Sequence, residues 1–143
     1  MRRFNRRGAN AVEFALTIPL FLGITFASIE YGWYFASQSI VDAAVVEGCR
    51  QGSMVSPDPD PQAPKDVAEA TIVGFLDSVP GVECTPGDNC TITLTNINEP
   101  PASSLQCEVT LDYATLTNWW EMPARLPGFT VIRYEDQVSG VAD

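Results

Sequence analysis

The sequence predicts an α+β protein, with a long N-terminal transmembrane helix followed by a small domain built on an antiparallel sheet. Three observations lead there. Phe14 to Ile29 runs for 16 positions without a formal charge. Ser56-Pro57-Asp58-Pro59-Asp60-Pro61-Gln62-Ala63-Pro64 then breaks the chain with four prolines in nine residues. Further on, Cys90-Thr91-Ile92-Thr93-Leu94-Thr95 alternates threonine with apolar residues, the period of a half-buried strand. A chain of 143 residues holds one domain plus a membrane segment, not two independent cores.

Charge orients the helix. Arg2, Arg3, Arg6 and Arg7 precede the apolar run, and arginines in that position stay on the cytoplasmic side. The rest of the chain sets four bases against 18 acids, a formal charge of −14. An acidic body repels phosphates, so no nucleic acid partner is expected. Histidine is absent, which removes the commonest general base and metal ligand.

About 20 residues of helix cross a hydrocarbon core, and the segment from residue 12 to about 33 has that length. Ala27-Ser28-Ile29 is a poor signal-peptide cleavage site, because Ile29 stands where a small side chain is needed. Retention as a membrane anchor, with lipid as a partner, is therefore expected. Tyr31, Trp33 and Tyr34 fall where an outer interfacial aromatic belt belongs, and Glu30 is expected among the headgroups beside them. Pro19 removes one backbone hydrogen bond and is a candidate kink.

Helical character continues past the membrane, giving one helix from about Asn10 to about Gln51. Phe35, Ala36, Ile40, Ala44 and Val45 are expected to share its apolar face. Gly23, Ala27, Gly32 and Ala36 recur near every fourth position, a spacing that lets another helix approach.

Beyond the proline-rich linker (residues 53–64), Lys65 to Val79 fits a short amphipathic helix ended by Pro80-Gly81. Val82-Glu83-Cys84 and Cys90 to Thr95 are expected to form a hairpin around Gly87. Gln106 to Tyr113 and Phe129 to Glu135 supply two further strands, with a turn at Glu99-Pro100-Pro101. Ala114 to Met122 is a short helix or loop. Four cysteines permit three pairings. The hairpin places Cys84 opposite Cys90, which leaves Cys49 for Cys107. Zinc is the weaker alternative, since no spacing is C-x-x-C. Asp58, Asp60 and Asp88 lack EF-hand spacing and are expected to be solvated. Trp119-Trp120 suggests either a core element or an adhesive surface.

The order Arg7-Gly8-Ala9-Asn10-Ala11-Val12-Glu13-Phe14-Ala15-Leu16, followed by Pro19, resembles a class III prepilin signal. Together with Ala43-Ala44-Val45-Val46-Glu47-Gly48-Cys49-Arg50, it resembles the TadE-like minor pseudopilins of tight-adherence (Flp) type IV pilus systems. The resemblance covers about the first 52 residues. Cys49 departs from it, since a small residue such as alanine is usual there.

The resemblance implies a basic leader (1–8) removed between Gly8 and Ala9 by a prepilin peptidase. It also implies a stem helix (9–52) and a pilin-like extracytoplasmic domain (65–143). Glu13 becomes the fifth mature residue, placed to pair with the new amine of a neighbouring subunit, while the alternative reading is a first-turn carboxylate favoured by the helix dipole. The implied location is the bacterial inner membrane, single-pass, N-terminus cytoplasmic and domain periplasmic, with passage into the extracellular pilus. The implied partners are the peptidase, the major pilin, other minor pseudopilins and the inner-membrane assembly platform, and the implied roles are pilus assembly and cell adhesion. No cofactor and no enzymatic activity are expected, since no nucleophile-base pair or phosphate loop is present. The competing class is a single-pass envelope protein that keeps its leader and binds a partner or surface.

Overall fold

A computed structural model describes residues 6–97, 103–113, 115–116 and 122–134. The chain divides into two compact units, Met1–Phe35 with Thr115–Met122, and Ala36–Ala114 with Pro123–Asp143.

One helix, α1, spans Arg6–Ser53. Within the first unit it is an apolar rod. Phe14, Leu16, Leu20 and Phe21 are each at least 66% exposed, so none of the described residues encloses them. The helix is long and apolar enough to cross a membrane, with a mean hydropathy of 1.9 over an 18-residue stretch. Three of its hydroxyls are satisfied internally. Thr17, Thr25 and Ser28 donate to the carbonyls four residues back, at 2.8, 2.9 and 2.8 Å, so these groups need no partner from an apolar solvent. The helix continues through Pro19. Nothing lies within 4 Å of a Cβ built at Gly23 or Gly32, so the small-residue positions are open to another helix.

In the second unit the upper part of α1 becomes a core element. Val41, Ala44, Val45 and Cys49 are fully buried, and Gly48 and Gly52 continue the same i, i+3, i+4 stripe. The apolar pattern groups Phe35 and Ala36 with this face, but both are exposed. The seam turns instead on Ser37 and Val41, because small residues let the helix approach its neighbours.

Helix α2 spans Ala63–Asp77, with Pro64 in its first turn, where the missing N–H costs nothing. It buries Ala68, Ile72 and Leu76. It stops two residues before the expected end, and Gly81 takes the left-handed turn with φ 85°. A Cβ at Gly48 would meet Ile72 Cγ1 and lie 2.9 Å from the Ala68 carbonyl oxygen. Backbone cannot yield as a side-chain tip can. Gly48→Ala is therefore expected to destabilise the fold by ~1–3 kcal/mol, read as a lower urea midpoint for the detergent-solubilised chain.

Three antiparallel strands follow in the order β1-β2-β3: β1 (Cys90–Ile97), β2 (Ser104–Asp112) and β3 (Arg125–Arg133). Central strand β2 buries Leu105, Cys107, Val109 and Leu111 on one face. The expected hairpin is corrected. Residues 82–85 form no strand, and β1 pairs with β2, Leu94 opposite Cys107. Side chains occupy the backbone groups that a hairpin ladder would have used. Cys84 N–H donates to Asp77 Oδ1 (3.1 Å), Thr85 N–H donates to Asn89 Oδ1 (2.8 Å), and Asn89 Nδ2 donates to the Glu83 carbonyl (2.9 Å).

Strand β3 begins four residues earlier than expected and runs through Pro127. That position is tolerable because β3 is an edge strand. Gly128 lets β3 close on α1, since a Cβ there would sit 2.8 Å from Val45 Cγ2. Gln38 Nε2 donates to the Pro127 carbonyl at 2.6 Å across the same contact. The Glu99-Pro100-Pro101 turn, Trp119-Trp120 and Glu135 lie outside the described residues.

Candidate functional site: the stem helix

Gly8 and Ala9 lie in the opening turns of α1, and Glu13 follows on the same helix. Because α1 begins at Arg6, no acidic residue occupies its first turn. The favourable effect of a helix N-terminus on a carboxylate fades beyond that turn, so it does not account for Glu13 in the unprocessed chain. Glu13 is exposed, and its backbone carbonyl accepts the Thr17 hydroxyl. Its carboxylate has no partner among the described residues, although Val12 and Phe14 on either side are 62% and 66% exposed.

Glu30 is enclosed by the protein and not open to solvent. It is 1% exposed, and its Oε1 accepts the backbone N–H of Leu116 at 2.9 Å. Tyr31 is about half exposed, and the Tyr34 and Phe35 rings meet edge-on at 5.6 Å.

At the upper end, Glu47 and Arg50 face each other one turn apart. Arg50 Nη2 and Nε donate to the two Glu47 carboxylate oxygens at 2.6 and 2.9 Å, and Gln51 Nε2 adds a third bond at 2.7 Å. The Arg50 hydrogen bonds, then that of Gln51, hold the Glu47 carboxyl down at about 2, against its ordinary 4.5. The i, i+3 spacing was the sequence signal for this pair. Its stabilisation is complete above pH 4.5 and is lost as pH falls through about 2. A carboxyl-carbon NMR titration should give Glu47 a midpoint about 2, and Arg50→Ala should raise it toward 4.5. Both side chains are well exposed, so the energetic effect is small.

Two cystine bridges tie the second unit. Cys49 of α1 joins Cys107 of β2 with Cα atoms 5.9 Å apart, and Cys84 joins Cys90 with Cα atoms 5.2 Å apart. The first links stem to sheet, and the second closes the loop before β1. Asp58, Asp60 and Asp88 are exposed. Among the described residues, no group of three or more His, Cys, Asp or Glu side chains could hold a metal ion. On the sheet side, the Tyr134 hydroxyl donates to Asn96 Oδ1 at 2.7 Å, and partial burial raises its pKa.

Compared with known proteins, residues 8–50 match the family model described as TadE-like protein. The match takes in Gly8, Ala9, Glu13, Glu30, Glu47 and Cys49, and ends where Arg50 closes its pair with Glu47. No curated protein and no solved structure matches the chain.

Proposed function

We propose, from the premise that this chain is TadE-like over residues 8–50 and so associated with tight-adherence pilus systems, that it is a minor pseudopilin acting in pilus assembly. One observation carries the reading. A carboxylate without a partner among the described residues sits on the bare apolar part of α1, five positions beyond Gly8. An isolated charge beside hydrocarbon is costly. Cleavage between Gly8 and Ala9 creates a compensating amine at the same end of the helix, available to a neighbouring subunit.

In this reading a prepilin peptidase removes the basic leader. The stem stays in the inner membrane with its arginine-flanked end cytoplasmic and its acidic domain periplasmic. The uncovered helix then has two environments, lipid and a bundle of other stems from the major pilin and other minor pseudopilins. The assembly platform moves it between them. The cystine bridges accord with an oxidising compartment outside the cytoplasm. The chain acts as a building unit and not as an enzyme.

Glu13→Ala tests the pairing. Opposite charges ~4 Å apart at an effective dielectric of ~20 attract by about 4 kcal/mol, so even a third of that corresponds to roughly tenfold. The variant should insert and be cleaved at Ala9, yet its recovery with sheared pili or with pilus-assembly complexes should fall roughly tenfold or more. Undiminished recovery would remove the role given to Glu13.

A further inference from the structure

We infer that Thr115–Leu116 forms a second membrane contact, pinned by Glu30 to the membrane helix at the outer edge of the hydrocarbon layer, with Leu116 entering the lipid interface. This rests on α1 crossing the membrane.

The depth follows from helix geometry. At 1.5 Å per residue, Glu30 lies about 27 Å along the axis from Val12. The hydrocarbon core is about 30 Å thick, so with Val12 at the inner boundary Glu30 falls just inside the outer one. A carboxyl group there is costly unless it is enclosed and hydrogen-bonded. Glu30 is both: it is 1% exposed and accepts the Leu116 N–H at 2.9 Å.

The same bond solves a second problem. A loop N–H just inside the hydrocarbon edge needs a partner within the protein, since hydrocarbon offers none. With its backbone held at that level, Leu116 remains 57% exposed. In water an exposed leucine means little. At the headgroup boundary it is an apolar side chain directed at an apolar solvent. The charge-free run on α1 ends at Ile29, one residue before the pin, and Tyr31 follows it with 48% of its surface exposed. Aromatic residues favour that level, so the helix itself marks it as the interface.

The test uses the full chain with Leu116→Cys carrying an environment-sensitive NBD label, in vesicles of phosphatidylcholine and phosphatidylglycerol. Unreduced intact mass verifies one label and two retained bridges, and flotation reports insertion separately. Expected is a blue-shifted emission, quenched more by a nitroxide lipid labelled near the carbonyl region than by aqueous cobalt. Glu30→Ala should reverse that order, whereas Glu30→Gln, which keeps an acceptor oxygen, should preserve it. Floated protein whose label is quenched by cobalt and not by lipid would overturn the proposal while leaving the membrane helix standing. So would a blue shift that depends on protein concentration and ignores the nitroxide, since that indicates a covering subunit. An unchanged order in Glu30→Ala would overturn the pin. Protein that fails to float overturns both readings.

Discussion

Gly8→Phe is expected to accumulate in the membrane with its leader attached, giving an intact mass that includes residues 1–8 and supporting no pili. The proposed scissile bond lies within the opening turns of α1, a helix that begins at Arg6. A peptidase must unwind that turn and admit the residue on the carbonyl side of the bond. Glycine favours both steps. It costs a helix ~1 kcal/mol relative to alanine, which eases local unwinding, and it has no side chain to exclude. Phenylalanine reverses each of these. The arginines and the apolar run are untouched, so targeting should be normal and the loss confined to cleavage. A Gly8→Phe protein that still begins at Ala9 would refute the assignment of the cut.

Removing the bridge between stem and sheet is expected to cost far more stability than removing the bridge before β1. Cys49 and Cys107 are 58 positions apart, and Cys84 and Cys90 only six. On the chain-entropy model the longer loop contributes ~4 kcal/mol and the shorter ~2 kcal/mol. Cys49 and Cys107 are both fully buried, so paired serine substitution also leaves two hydroxyls in an apolar core. The double variant Cys49→Ser/Cys107→Ser should show the larger fall in urea midpoint, and Cys84→Ser/Cys90→Ser the smaller. Equal midpoints would mean that the long bridge does not constrain the unfolded chain as supposed.

Most of the helical content was legible because it depends on local pattern. The charge-free run from Phe14 to Ile29 is visible without tertiary information, and so is the apolar stripe through Ala44 and Val45, although the same pattern wrongly added Phe35 and Ala36. Equally visible is the helix after the prolines, where Pro64 sits in the first turn. The strands were legible in kind but not in partnership. Val82 to Cys84 looks like half a hairpin, yet Asn89 and Asp77 take its backbone bonds, and only the folded arrangement shows that. Pro127 hides the start of β3, because a proline is acceptable there only if the strand lies at an edge, and strand order is a tertiary property.

Glu30 is the most instructive residue. Its place beside Tyr31 and Trp33 suggests a headgroup carboxylate, and its partner is a backbone amide 86 positions away. No spacing rule reaches that far. The Glu47–Arg50 pair, three residues apart, lies within reach of such a rule. Gly8, Ala9 and Glu13 are proposed site residues, picked out by the resemblance of the residues around them to a prepilin signal. Their roles depend on other proteins, which a single folded chain does not contain.

The central claim is tested most directly by the mass of the mature protein taken from the membrane fraction of its native host, without reductant. The account predicts a species beginning at Ala9, lighter than the intact chain by the basic leader and by four hydrogens for two cystines. A membrane protein that keeps Met1 through Gly8, or a soluble one starting beyond the apolar run, would contradict it.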